Sequence, residues 1–180
     1  MLNGRAMIAD NFQFAFATPA DAPNVHALIE RAYRGSMAAK GWTNETELLE
    51  GPRSSLTEVA GIIAEPTSRF VTALANDTLV ATALIKKYDD GAYFGMFAVD
   101  PQMQLGGVGK MMIARCEADA IRLWNARFLR LTVISLRLPL IEWYQRRGFA
   151  LTGEREPFPF HEAPGALRTD FDLVVLQKPL

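Results

Sequence analysis

Seven residues, Gln104-Leu-Gly-Gly-Val-Gly-Lys110, carry three glycines between an apolar run ending at Asp100-Pro101 and a helix-like segment. A strand, a glycine loop and a helix N-terminus in that order make an anion cradle. The first helical N–H groups have no intrahelical acceptor, and the helix dipole is positive at that end. Glycine at 106, 107 and 109 removes Cβ atoms that would hold a phosphate off the backbone and permits φ/ψ values other residues avoid. Backbone N–H groups from Leu105 to Lys110 would then donate to a diphosphate. A tight strand-to-helix turn would use the same glycines.

Two familiar phosphate loops do not fit. A Walker A loop ending at Gly109-Lys110 needs glycine at 104 and Ser or Thr at 111, where Gln104 and Met111 stand. A dinucleotide fingerprint starting at Gly107 needs a small residue at 112, where Met112 stands, and should follow the first strand rather than the fourth. Two histidines and one cysteine are too few and too scattered for a metal cluster. Cys116 falls inside the helix among Met112, Ile113 and Ala120 and reads as a packed thiol. His26 belongs to an early helix, and His161 to a proline-rich loop, PFPFHEAPG.

The elements that hold the loop follow from periodicity. Phe12, Phe14 and Phe16 alternate as a first strand. Thr18-Pro19-Ala20-Asp21 has the chemistry of a helix start, and Val25, Leu28, Ile29, Ala32 and Tyr33 then mark one helical face that ends at Gly35. Asn44-x-x-Glu47 and Ser55-x-x-Glu58 are capping-box spacings. The first opens a helical turn through Leu48 and Leu49. The second opens a helix with Leu56, Val59, Ala60 and Ile63 on one side. Residues 69–75 and 78–85 read as strands around the turn Asn76-Asp77, and 86–91 as a polar turn before a strand over 92–99. A helix over 110–123, a strand over 128–134 and a helix with Pro139 at N1 and Gly148 at C′ follow. A short strand over 149–151, a proline-rich loop over 154–169 and a strand over 170–176 complete the chain. The order β-α-α-β-β-β-α-β-α-β-β predicts one α/β domain over 1–180, a mixed sheet with helices on its faces and residues 1–10 as a loose lead-in.

Composition narrows the function. At 180 residues, 49% hydrophobic and 22% charged, the chain suits a single globular core. A net charge of −1 argues against bulk electrostatic binding to nucleic acid or to an anionic membrane. One cysteine precludes an internal disulfide framework, and no apolar run has signal-peptide or bilayer-spanning length, so a soluble cytoplasmic protein is expected.

Gln104, Gly107 and Gly109 fit the pattern Gln/Arg-x-x-Gly-x-Gly/Ala, which resembles the acetyl-CoA loop of the GNAT superfamily of N-acetyltransferases. Phe97-Ala-Val-Asp-Pro101 is similar to that family's fourth strand and its exit. Tyr144-Gln-Arg-Arg-Gly148-Phe149 is similar to its Tyr-x-x-x-Gly-Phe element. Together the motifs carry the resemblance from about Phe12 to Leu176.

The resemblance implies a mostly antiparallel sheet splayed between strands four and five. The pantetheine arm of acetyl-CoA would fill that gap against main-chain groups of Phe97, Ala98 and Val99, with Gln104, Leu105, Gly106, Gly107, Val108, Gly109 and Lys110 around the pyrophosphate. It implies direct acetyl transfer to a primary amine of a small molecule, amino-acid-like compound or peptide. Tyr144 would be the general acid for the departing thiolate, although its segment reads equally as core aromatics. Where the family has an Asn seven residues earlier, this chain has Arg137, which suits a cofactor phosphate or a solvated helix start. Strand four lacks the family's glutamate, leaving Asp100, Glu154, Glu156, His161 or a relayed water as candidate bases. By analogy Tyr33, Trp42, Arg53, Phe158 and Phe160 line the acceptor pocket. Aromatics with few acids favour a modest or carboxylate-bearing amine over a polyamine. Pairing into a homodimer through the C-terminal strands is a further implication. A non-catalytic acyl-CoA-binding or regulatory domain is the alternative reading.

Overall fold

The structure, a computed structural model, describes residues 12–34, 45–103, 107–163 and 165–180. The expected positions Trp42, Gln104, Leu105 and Gly106, the helix end at Gly35, the cap at Asn44 and the lead-in over 1–10 lie outside the described residues. Among the described residues, seven strands form one sheet: β1 (Phe12–Phe16), β2 (Ser68–Ala75), β3 (Thr78–Tyr88), β4 (Gly91–Val99), β5 (Phe128–Ile134), β6 (Ala150–Glu156) and β7 (Leu173–Pro179). Their spatial order is β1-β2-β3-β4-β5-β7-β6, with β4 and β5 the parallel pair and every other pair antiparallel.

Helices cover both faces. On one face, α1 (Ala22–Tyr33) and α2 (Leu56–Ala64) bury Val25, Leu28, Ile29 and Val59 against Phe70, Leu84, Met96 and Ala98. On the other, α3 (Val108–Trp124) and α4 (Leu138–Gln145) bury Met112, Ile113, Cys116, Ile141 and Tyr144 against Val71, Ile85, Phe94, Phe97 and Val99. The helix starts follow their sequence chemistry. Thr18 N–H and Oγ1 both donate to Asp21 Oδ2 at 2.7 Å, holding that carboxyl below its usual pKa range at the turn that leads into α1. At α2, Glu58 N–H donates to Ser55 Oγ at 3.1 Å while Ser55 N–H donates to the Glu58 carboxylate at 3.3 Å. Leu56 and Ala60 are nevertheless exposed, because α2 meets the core only along Val59 and half-buried Ile62 and Ile63.

Three strands differ from the sequence reading by three residues or more, each for a reason of pairing. β3 runs on through Lys86, Lys87 and Tyr88, paired with Tyr93, Ala92 and Gly91, so the turn shrinks to Asp89-Asp90. Ladder bonds are backbone bonds, and exposed lysines do not prevent them. β6 extends to Glu156 rather than stopping at Leu151. It is the sheet edge and almost wholly exposed, so it shows no apolar alternation. β7 spans Leu173–Pro179, later than expected, because β5 sets its register from Phe128↔Pro179 to Ile134↔Leu173.

Candidate active site

The glycine loop does end at a helix N-terminus. Gly107 is the N-cap of α3 with φ +76°, and a Cβ there would meet nothing within 4 Å, so glycine is required by conformation and not by space. Gly109 serves a different end. A Cβ there would lie 3.1 Å from the Trp143 ring, so its absence lets α3 and α4 close on each other. Val108 and Gly109 are the first helical N–H donors of α3, groups without intrahelical acceptors, whereas Lys110 N–H already donates to the Gly107 carbonyl at 3.1 Å. The cradle therefore rests on the first turn, and Lys110 contributes an exposed side chain at its rim.

β4 and β5 pair only at Ala92↔Leu129 and Tyr93↔Arg130. Beyond those two positions β4 runs on to Val99 and β5 to Ile134 without pairing, which leaves an opening in the sheet. A bulge sits on the rim. Thr82 pairs Ala98 and Leu84 pairs Gly95, so β4 carries one more residue than β3 across this interval, and Met96 takes φ +43°. The extra residue flips the strand's parity: Phe94 and Phe97 both face α3, while Met96 and Ala98 face α1. A regular strand over 92–99 would alternate throughout, and Met96 breaks that alternation. β-propensity and hydrophobicity are indifferent to a bulge made by a methionine.

Tyrosines converge on the opening. Tyr144, on α4, is 6% exposed and packed among Phe94, Trp143 and Phe149 with ring centroids 6.5, 5.1 and 5.5 Å away. Burial lifts its phenol well above the ordinary value of 10.0, and the nearby Tyr33 and Tyr93 hydroxyls lift it further. Tyr33, at the end of α1, donates from its hydroxyl to the Phe97 carbonyl at 2.9 Å and is pushed up to about 12, chiefly by burial. The ring of Tyr93 lies over Gly95, where a Cβ would sit 2.5 Å from Tyr93 Cε1. The sequence marks Tyr93 only as one residue of the strand over 92–99, and the missing Cβ at Gly95 shows where its ring lies.

Beside the tyrosines, Glu45 is ringed by Arg34, Arg137 and Arg53 at 3.0, 3.8 and 4.0 Å. Arg53 lies over the Tyr33 ring, 5.2 Å from its centroid. Tyr33, Arg53 and Tyr144, far apart in sequence, are therefore neighbours, and Arg137 joins them rather than standing at a solvated helix start. Arg137 N-caps α4, and its side chain is 12% exposed. On the outer side, the guanidinium of Arg147 lies 3.3 Å from the Trp143 ring centroid, and burial lowers its pKa.

The remaining candidates have other partners. Phe158 and Phe160 pack with Phe171 at centroid distances of 4.9 to 5.1 Å, in a satellite core with Leu49 and Ile134. That core fastens residues 48–50 to 165–167 by the Leu49↔Ala166 bridge and the Leu167 N–H to Leu48 carbonyl bond. Asp100 accepts from Arg31 and from Gln102 N–H, and Glu154 and Glu156 pair with Arg130 at 2.8 and 3.0 Å. His161 is 79% exposed beside Glu162. Cys116 is buried, and burial raises its thiol pKa, as a packed thiol requires. Among the described residues no group of three or more His, Cys, Asp or Glu side chains could hold a metal, and no helix is long and apolar enough to cross a membrane.

Comparison with known proteins gives a family and a fold. The family model described as acetyltransferase (GNAT) family matches residues 29–149. No curated protein matches the sequence. Among solved structures, the ribosomal-protein-S18-alanine N-acetyltransferase from Escherichia coli is similar at TM-score 0.68 and 17% identity, with 93% of each chain covered. A spermidine/spermine N-acetyltransferase from Vibrio cholerae is similar at TM-score 0.67 and 14% identity, covering 96% of this chain and 94% of that one. A proposed streptothricin acetyltransferase from Bacillus anthracis, in complex with acetyl coenzyme A, is similar at TM-score 0.55 and 20% identity, covering 67% of this chain and 66% of that one.

Proposed function

The chain belongs to the acetyltransferase (GNAT) family, and from that premise we propose that it moves an acetyl group from acetyl-CoA directly to a primary amine, with Tyr144 as general acid. The observation that carries this reading is the β4–β5 opening, paired at two positions only and flanked by the α3 N-terminus on one side and the Tyr144 phenol on the other.

The residues present fit acetyl-CoA. The first-turn N–H groups of Val108 and Gly109, helped by the α3 dipole, suit a pyrophosphate that Gly107 lets approach. The rim of β4 from Phe97 to Val99, set by the Met96 bulge, suits an extended pantetheine laid along it. Bound there, acetyl-CoA supplies the activated acyl group. The chain's own contribution is to orient, to exclude water and to manage one proton. Phe94, Trp143 and Phe149 keep the region around the Tyr144 hydroxyl dry, so a hydrogen bond from it to developing negative charge on sulfur is stronger than in water. A phenol raised above 10 by burial is protonated at neutral pH and thus ready to donate. The amine attacks the thioester carbonyl, the carbon–sulfur bond breaks, and the sulfur takes up a proton from Tyr144. The one proton released by the new amide nitrogen is relayed through solvent to the Tyr144 oxygen and restores the phenol.

Acetyl-CoA at saturating concentration should raise the melting temperature, and thiol release should follow addition of a suitable amine. Tyr144→Phe should lower kcat by about 100-fold while leaving the acetyl-CoA melting shift in place. An unchanged kcat would refute the general-acid role. A melting shift without release for any amine would instead favour a non-catalytic acyl-CoA-binding domain.

A further inference from the structure

Resting on the transfer reading above, we propose that the acceptor amine carries a carboxylate, bound by Arg53 with Arg137 beside the β4–β5 opening. Arg53 is held like a ligand-binding residue. The Glu30 carboxylate accepts from Arg53 N–H at 3.0 and 3.1 Å, from Ser54 N–H at 2.8 Å and from Ser54 Oγ at 3.1 Å. These hydrogen bonds anchor the backbone at Arg53. Among the described residues the Arg53 guanidinium donates no hydrogen bond: its contacts are the Tyr33 ring face and Glu45, whose 4.0 Å separation is too long for one. A planar fork of donors lying on an aromatic face, with its hydrogen-bonding edge unengaged, suits bidentate binding of a carboxylate.

The local charge points the same way. Three guanidinium groups stand within 4.0 Å of the single Glu45 carboxylate, which Arg34 engages most closely. The other acids near Arg53 are Glu30, bound to the backbone as above, and Glu58, which accepts from Ser55 N–H. Among the described residues the cluster thus sets three guanidinium groups around one carboxylate at partly buried positions, and a bound anion relieves the repulsion among the arginines.

Tyr33 sets the scale. Its ring lies under Arg53 and its hydroxyl binds the Phe97 carbonyl on the rim of the opening. The carboxylate end and the reacting end of the pocket are therefore one tyrosine side chain apart. That separation suits an amino-acid-sized acceptor, and the same arginines repel a polyamine.

The test measures thiol release with α-, β- and γ-amino acids, their primary amides, the corresponding decarboxylated amines, short acidic peptides and spermidine. A free amino acid should have a kcat/KM at least tenfold above its own amide and above spermidine. Arg53→Gln should raise KM for that amino acid at least tenfold and abolish its advantage over the amide, whereas Arg53→Lys should recover part of it. Calorimetry of the same amino acids with the CoA-bound protein provides a readout independent of turnover, with binding expected for the wild type and lost in Arg53→Gln. The proposal is overturned if amides or spermidine are preferred, if only peptides react, if the preference survives Arg53→Gln, or if no carboxylate-bearing amine binds or reacts. Acetyl-CoA binding is measured separately. A protein that takes up acetyl-CoA and acetylates neutral or cationic amines refutes the carboxylate site alone, while failure to take up acetyl-CoA refutes the transfer reading beneath it.

Discussion

At Tyr144 and Tyr33, burial holds on to two phenol protons, of which the proposed transfer uses the one on Tyr144. Both phenols are raised above 10.0, with desolvation the leading cause. As pH increases, kcat should rise with deprotonation of the acceptor ammonium and show no descending limb below about pH 10, the ordinary phenol value. A fall at lower pH that disappears in Tyr144→Phe would contradict the assignment. Gly95 offers a second test at this scale. Adding a Cβ 2.5 Å from the Tyr93 ring forces that half-exposed ring out toward solvent. Gly95→Ala should therefore lower kcat/KM for the acceptor about tenfold, with a stability loss under about 1.5 kcal/mol and an intact acetyl-CoA melting shift. Tyr144 could be found because it falls in a recognisable pattern with Gly148 and Phe149. Tyr93 could not, because a tyrosine on a strand is ordinary and only the missing Cβ at Gly95 shows where its ring lies.

Among the elements, the start of α3 and the bulge of β4 matter most. Gly107→Ala meets no steric obstacle, so its whole effect is the cost of φ +76° for a residue with a Cβ, about 1–2 kcal/mol. It should weaken acetyl-CoA binding, and Gly107→Asn should recover stability because Asn tolerates the left-handed region. Equal losses in both variants, measured by denaturant unfolding, would mean that space rather than conformation selects glycine. At α2 the reciprocal cap predicts a loss of about 1 kcal/mol for Ser55→Ala in the same assay, with no change in kcat. Helix starts were legible because capping is local: Thr18 with Asp21 and Ser55 with Glu58 interact across three residues. Strand ends were less legible. The limits of β3, β6 and β7 are set by which strand lies alongside, a matter of contacts between residues distant in the chain.

Over the whole molecule, the two raised phenols link the site to stability. The native state holds the Tyr33 proton to about pH 12, whereas the unfolded chain releases it near 10.0. Between those values the native state binds more protons, so stability falls as pH rises, being fully present below pH 10 and lost through the folded value. Denaturant midpoints should drop over that range, and Tyr33→Phe should flatten the drop; a midpoint independent of pH there would show that the phenol is not desolvated. By itself the sequence determined the succession of elements, the helix caps, the glycine loop with its helix and the tyrosine after β5. Each of these is written in neighbours along the chain, through periodicity, turn chemistry and short motifs. The tertiary structure decided the rest: the Met96 bulge that turns Phe97 toward α3, the gathering of Tyr33, Tyr93 and Tyr144 where the β4–β5 pairing ends, and the ring of arginines around Glu45. Those depend on packing that brings α1, the loop before α2, β4 and α4 to one opening in the sheet, and charge or ring proximity across such separations leaves no periodic trace in the chain.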